Sequence, residues 1–132
     1  MASELKVDKF TGVTTAGSIL VTGEGNSTTT SLQQGLMKAW CQSTNAAVIS
    51  DSLNIASGTD NSSGNYDYTF TNAMSNATYS IAGACEHASF FTFGQQSGDV
   101  TTTFYQTIAT DRGDSLTAND AETHSQIAGD LA

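Results

Sequence analysis

The stretch GNYDYTFTNAMSNATYSI (residues 64–81) decides the class of fold, because ring-bearing and polar side chains alternate along its first half. Alternation with a period of two places the rings on one face of an extended chain and the Asp and Thr residues on the other. After the reversal NAMSNA, the same phase resumes. The stretch therefore predicts a half-buried β-hairpin. The residues on its core side are Tyr66, Tyr68, Phe70, Tyr79 and Ile81.

Composition and further alternating segments extend the β prediction to most of the chain. Only 13% of the 132 residues are charged, so the Lys, Glu and Arg pairs typical of helix surfaces are scarce. About six strands, joined by Gly-, Ser- and Asn-rich loops, predict an all-β fold, either an antiparallel β-sandwich or a small jelly-roll-like barrel. The segments read as further strands are 35–42, 47–55, 78–85, 89–94, 100–110 and 122–129, and residues 57–65 are read as a loop.

Residues 1–35 differ from the rest because their apolar side chains are isolated between Gly and Thr. Such a segment cannot bury itself, so it is expected to become ordered against a partner, for example against identical copies around a symmetry axis. The predicted organisation is an extended N-terminal arm at 1–35, used for trimerisation or docking, and a globular β domain at 36–132. The apolar residues of the arm are Leu5, Val7, Phe10, Val13, Ile19, Leu20 and Val21.

The charge balance excludes two classes of partner. Four Lys and Arg residues face 13 Asp and Glu residues, for a net charge of -9, which opposes binding to nucleic acid or to an anionic membrane surface. No apolar run reaches the roughly 18 residues needed to cross a bilayer, so membrane insertion is not expected. The N-terminus MASELKVDKF lacks the apolar core of a signal peptide, so the chain is expected to remain unexported.

Catalytic chemistry has few candidates. Cys41 and Cys85 form no C-x-x-C motif, and two reduced thiols are favoured over a disulfide between neighbouring strands. Cys85 and His87 share a strand face in CEHAS, but no third group is placed to orient the imidazole. We therefore expect no enzyme, no catalytic residue and no cofactor.

Acidic residues are plentiful but are not visibly paired. Asp51, Asp60, Asp67 and Asp99 show no spacing that predicts the carboxylate separations of a glycosidase. DRGDSLTANDAE (residues 111–122) does not meet the D-x-[DN]-x-[DN]-G spacing of a calcium loop, which leaves metal binding a weak alternative. The sequence predicts no metal site.

Two long segments resemble short fibre-type proteins of bacteriophages, many of them marine. They are LKVDKFTGVTTAGSILVTGEGNSTTTSLQQGLMKAW (residues 5–40) and DSLNIASGTDNSSGNYDYTFTNAMSNATYSIAG (residues 51–83). In the second, a D-S-x-N-x-x-S segment precedes D-N-x-x-G-x-Y, which is similar to the globular part of tail-fibre and head-fibre proteins of that group. The resemblance covers residues 4 to about 83, and none of its motifs is catalytic.

The resemblance implies a virion structural protein assembled in the host cytoplasm. Such a protein is typically a homotrimer whose arms associate or dock on other virion proteins of the capsid or tail, while the β domain faces outward. It implies a junction between arm and domain, formed by Leu32, Leu36 and Trp40. Placement as a capsid decoration protein or head fibre competes with placement as a short tail-associated fibre.

Lectin-like recognition of host surface glycans is the alternative function. It would use loops at 57–65, 94–99 and 110–121, but aromatic residues that could stack on sugars are missing from these segments. For the aromatic residues elsewhere, in-phase positions favour core packing over ligand contact. The residues concerned are Trp40, Tyr66, Tyr68, Tyr79 and Tyr105.

Overall fold

Two units make up the chain, Met1–Leu36 and Met37–Ala132. The computed structural model describes residues 4–13, 19–23, 28–86, 91–111 and 117–129. Strands form nearly all of the regular structure in the described residues, so the all-β prediction is confirmed.

The first unit combines an irregular segment with a small hairpin. Residues 4–13 have neither helix nor strand. Strand β1 (Leu20–Thr22) pairs antiparallel with β2 (Thr29–Ser31), and a single helical turn, α1 (Leu32–Gly35), follows directly. Thr and Val suit strands because their branched side chains fit a pleated surface. This hairpin was not predicted from the sequence.

The second unit holds two four-stranded antiparallel sheets among its described residues. Their strands are β3 (Ala39–Ser43), β4 (Ile49–Leu53), β5 (Ile55–Ser62), β6 (Asn65–Phe70), β7 (Ser80–Glu86), β8 (Phe91–Val100), β9 (Phe104–Asp111) and β10 (Glu122–Ala128). The first sheet has the order β4-β3-β10-β7, and the second has the order β5-β6-β9-β8. The sheets pack as a sandwich and do not close into a barrel.

Tyrosine rings fill the space between the sheets. Tyr66, Tyr68 and Tyr105 are fully buried, and Tyr68 lies beside Tyr105 with ring centroids 5.3 Å apart. Phe70 packs edge-on against Tyr79 at 5.6 Å, which joins the end of β6 to the segment entering β7. Rings in offset or edge-to-face contact add to the stabilisation from burial. The predicted core residues thus meet in one core, with Ile81 partly buried against it.

The predicted hairpin at residues 64–81 is wrong, although its faces are right. Strand β6 pairs with β5 and β9, whereas β7 pairs with β10 in the other sheet. Residues 71–79 carry the chain from one sheet to the other. Alternation specifies which face of a strand is buried, but it does not specify the partner strand.

The hairpin actually formed joins β5 to β6, so the predicted loop at 57–65 is also wrong. Its turn contains Gly64 at a φ of +70°, a conformation that glycine adopts without steric cost. A Cβ at Gly64 would lie 2.3 Å from the carbonyl oxygen of Ala109, so the turn also requires a residue without a side chain. The predicted loop at 94–99 falls inside β8 as well. Both β5 and β8 are edge strands.

Asn54 divides the predicted strand at 47–55 into β4 and β5, which belong to different sheets. Its φ of +60° turns the chain sharply, and Asn tolerates this region better than most residues. The side chain of Asn54 accepts a hydrogen bond from the backbone N–H of Asn72 at 2.7 Å and donates one to the carbonyl of Asn72 at 3.0 Å. These bonds hold the corner between the sheets to the end of β6.

Candidate functional site

Buried hydroxyl groups join the two sheets at the centre of the sandwich. The hydroxyl of Tyr68 lies 2.5 Å from that of Ser43 and 2.6 Å from that of Thr123, and Ser43 and Thr123 lie 2.9 Å apart. Tyr105 is similarly paired with Ser125 at 2.7 Å. Burial raises the pKa of Tyr68 and Tyr105, so both rings stay neutral. The cluster is satisfied internally and serves packing.

Asp120 has a structural role in the described part of the predicted acidic loop. Its Oδ1 accepts a hydrogen bond from the backbone N–H of Gly64 at 2.8 Å and lies 3.3 Å from the hydroxyl of Tyr66. Burial raises the pKa of Tyr66 to about 12. Residues 112–116 of the same loop lie outside the described residues. Within the described ranges, no group of three or more His, Cys, Asp or Glu could hold a metal ion.

Both cysteines are free thiols. Cys41 on β3 lies opposite Ser125, and Cys85 on β7 lies opposite Thr123, so strand β10 runs between them. The Cα atoms of the two cysteines are therefore at least two interstrand spacings apart, about 9–10 Å. A disulfide needs Cα atoms within about 7 Å, so this placement does not allow Cys41 and Cys85 to form one. His87, the other half of the predicted Cys–His pair, lies outside the described residues.

The thiol of Cys41 is expected to be unreactive in the folded chain. Burial raises its pKa to about 11, so only about a thousandth of it is thiolate at pH 8. The measurement is labelling by a thiol reagent at pH 8, read by mass spectrometry of peptides. Cys85, which is only partly buried, should label first, and urea should bring Cys41 to a similar rate. Fast labelling of Cys41 without urea would contradict its buried position.

A shallow groove on the outer face of the first sheet is the candidate site for a ligand. Its volume is about 380 Å³. Strand register aligns its outward side chains in two rows, Trp40–Gln126–Ala82 and Gln42–His124–Ala84. The intervening residues Cys41, Gly83 and Ser125 complete the lining.

The different lengths of these side chains explain why a groove forms here. Ala82 and Ala84 are exposed on β7 and rise little above the backbone, whereas Trp40, Gln42 and Gln126 are long. The side chain of His124 is 39% exposed, and its Nε2 lies 3.6 Å from Oε2 of Glu86. Since β7 is an edge strand, the aromatic ring, the two amides and the imidazole stand along one side of a low strip formed by Ala82 and Ala84.

Trp40 was predicted both as a core ring and as a junction residue. The structure leaves it half-buried, on the face of β3 opposite Cys41, while the four tyrosines considered with it are buried. The outward orientation of Trp40 could have been predicted from the sequence. Trp40 and Gln42 alternate with Ala39, Cys41 and Ser43, which places Trp40 on the same face as the polar Gln42. Of the other junction residues, Leu32 is half-buried and Leu36 is 55% exposed.

A second candidate for a binding surface, besides the groove, is the set of exposed apolar side chains in the first unit. Its apolar side chains meet solvent to an unusual degree, with Val13 90% and Leu5 72% exposed. Ile19 is half-buried. Single exposed apolar residues are ordinary, but a succession of them marks a surface that a partner can cover. The other large exposed ones in the predicted arm are Val7, Phe10, Leu20 and Val21.

These features define the class: an antiparallel β-sandwich protein with a separate N-terminal unit rich in exposed apolar residues. No helix in the described parts of the chain is both long and apolar enough to span a membrane. No protein-family model matches the chain, and no similar protein was found among curated sequences or solved structures.

Proposed function

We propose that this chain is a non-enzymatic structural protein of a bacteriophage virion, displayed as a short trimeric fibre or as a capsid decoration protein. The exposed apolar residues of the first unit carry the proposal, because they need a cover and identical copies can supply one. Burying each such side chain contributes about 1.5–3 kcal/mol. The resemblance to phage fibre proteins over residues 4–83 supports the same assignment.

The distribution of charge supports association through the arm. Residues 37–132 contain ten acidic and two basic residues, whereas residues 1–36 contain three acidic and two basic ones. Like net charge makes the second units of neighbouring copies repel one another. The nearly neutral first unit escapes most of this repulsion and is the better place for copies to meet.

The oligomeric state gives the first test. Light scattering of the purified chain should report about three times 13.7 kDa, the mass of one chain. A stable monomer at micromolar concentration would contradict self-assembly and would leave docking on the particle as the role of the arm.

Position on the particle gives the second test. Antibodies raised against residues 37–132 should label intact phage particles in electron micrographs. Label over the heads would indicate a decoration protein or head fibre, and label at the tail would indicate a tail-associated fibre. Particles that contain the chain in neither place would overturn the assignment to the virion.

A tail-associated fibre that recognises host surface glycans is the second candidate. The groove beside Trp40 favours it, because it places an accessible aromatic ring next to polar side chains. The groove lies on a sheet face and not in the segments 57–65, 94–99 and 110–121, which the sequence predicted as ligand-binding loops.

A further inference from the structure

We propose that the groove on the outer face of the β3-β10-β7 strands binds a neutral saccharide. The inference rests on the second candidate function, glycan recognition through the same groove, and it names the class of glycan and the residues that hold it. Its volume of about 380 Å³ falls within the range of small-molecule sites, about 300–1,000 Å³.

The groove combines the two kinds of group that a sugar needs. Trp40 offers an aromatic ring, which packs against the apolar C–H face of a pyranose. Gln42 and Gln126 each carry an amide that both donates and accepts hydrogen bonds, and both side chains are exposed. Neighbouring hydroxyls of a sugar present the same mixture of donors and acceptors. Ala82 and Ala84 keep the side of the groove along the edge strand β7 low, so a sugar can reach His124 and Gln126 from that side.

The surrounding charges favour a neutral ligand. The groove residues include no lysine and no arginine, and Oε2 of Glu86 lies 3.6 Å from Nε2 of His124. Asp51 stands opposite Gln42 on β4 and adds a second negative group at the edge. Sialylated, uronic or phosphorylated sugars would meet this negative potential without a cation to offset it.

A second copy of this chain fits the same face less well. Trp40 and Leu53 are neighbours across β3 and β4, but the remaining groove positions are amides, an imidazole and alanines. Interfaces between identical subunits have a more apolar centre. The acidic second unit would also repel its own copy at this face.

Glycan binding by the full-length chain tests the proposal. The chain is applied to an array of neutral glucans, mannans, galactans and chitin oligomers, with sialylated and uronic glycans printed beside them. Retention on one or more neutral glycans is expected, with acidic glycans retained less. The chain contains a single tryptophan, so each retained oligosaccharide can be titrated by its effect on tryptophan fluorescence.

Two variants locate the site. Trp40→Ala should weaken retention by about tenfold or more, as expected for the loss of one stacked ring. Ala84→Leu places a bulky side chain beside His124 and keeps the tryptophan, so it should obstruct the groove and weaken the fluorescence titration to a similar degree. Thr69→Ala, an exposed change on a strand of the other sheet, is the matched control and should bind as the original chain does.

Three results would overturn the proposal. One is the absence of any neutral glycan retained above the level of Trp40→Ala, and another is retention that neither variant weakens. The third is a change in light-scattering mass on Trp40→Ala without glycan binding, which would make the face an interface between copies. Failure of the proposed virion role would appear instead in the mass or particle labelling of the unmodified chain.

Discussion

Replacing Tyr68 by alanine is expected to lower the free energy of unfolding by about 3–5 kcal/mol, the cost typical of removing a large buried ring. Tyr68 is fully buried on β6, and its ring packs against Tyr105 with centroids 5.3 Å apart. Its hydroxyl also binds Ser43 and Thr123 in the other sheet. The substitution therefore removes ring packing and a hydrogen-bonded link between the sheets together.

Tyr68→Phe separates these two contributions. Ser43 and Thr123 are 2.9 Å apart and keep their mutual hydrogen bond when the phenol is removed. The expected loss is therefore smaller, about 0.5–1.5 kcal/mol for a neutral hydrogen bond. Tyr68→Ala should thus be far more costly than Tyr68→Phe.

Urea denaturation followed by circular dichroism measures both variants. Thr69→Ala, at the next position on β6 but exposed, is the control and should change stability by less than about 0.5 kcal/mol. If Tyr68→Ala proved no more destabilising than Thr69→Ala, the inward orientation of the β6 rings would be wrong.

The faces of the central strands could be predicted from sequence because burial is recorded directly in the alternation. Tyr66, Tyr68 and Phe70 alternate with polar residues, and all three are buried. Pairing is not recorded in this way. Strand β6 meets β9 through the register Tyr68↔Tyr105, a contact between residues far apart in sequence. Nothing in either segment identifies its partner strand, and the next strand along the chain, β7, pairs in the other sheet.

The edge strand β5 and the corner at Asn54 could not be predicted, for a different reason. Most positions of β5 are exposed, so its residues carry little apolar signal and resemble a loop. Exposed edge strands are often polar, because polar side chains discourage pairing with other chains. Residues 47–55 were predicted as one strand, but the backbone conformation of Asn54 passes the chain to the second sheet.

The groove could not be predicted because its residues come from three separate strands. Trp40 and Gln42, Ala82 and Ala84, and His124 and Gln126 become neighbours only when β10 lies between β3 and β7. In sequence, the alanines resemble unremarkable strand residues. Their importance is steric, since short side chains beside long ones create the depression. The exposed apolar side chains of the first unit, by contrast, lie isolated within a single segment, so they could be recognised from the sequence.

Deletion of residues 1–36 is expected to abolish the trimer and incorporation into particles while leaving the β-sandwich folded. The large exposed apolar residues that we propose as the contact surface lie in this segment, including Leu5, Phe10 and Val13. The buried apolar residues of the described chain all lie between Ala39 and Ile127. The deletion thus removes the proposed contact surface without removing any residue of that core.

Three measurements on the truncated chain separate the outcomes. Light scattering should report a monomer, circular dichroism should retain the strand spectrum, and the urea midpoint of tryptophan fluorescence should match that of the full-length chain within error. In a phage carrying the truncation, purified particles should lack the chain by immunoblot. A truncated chain that still forms trimers or still decorates particles would refute the role of the arm, and loss of the strand spectrum would refute independent folding of the sandwich.

A full-length variant guards against effects of shortening the chain. Leu5→Ser, Phe10→Ser and Val13→Ser together keep the length and charge but remove the three apolar side chains. Because these side chains are 62–90% exposed, the substitutions should leave the sandwich stable and still dissociate the trimer. The matched control replaces exposed polar residues nearby, Thr11→Ser and Thr22→Ser, and should remain trimeric. If the apolar variant is monomeric and also fails to incorporate, assembly and docking depend on the same surface; a monomer that still incorporates would show that the arm docks each copy separately.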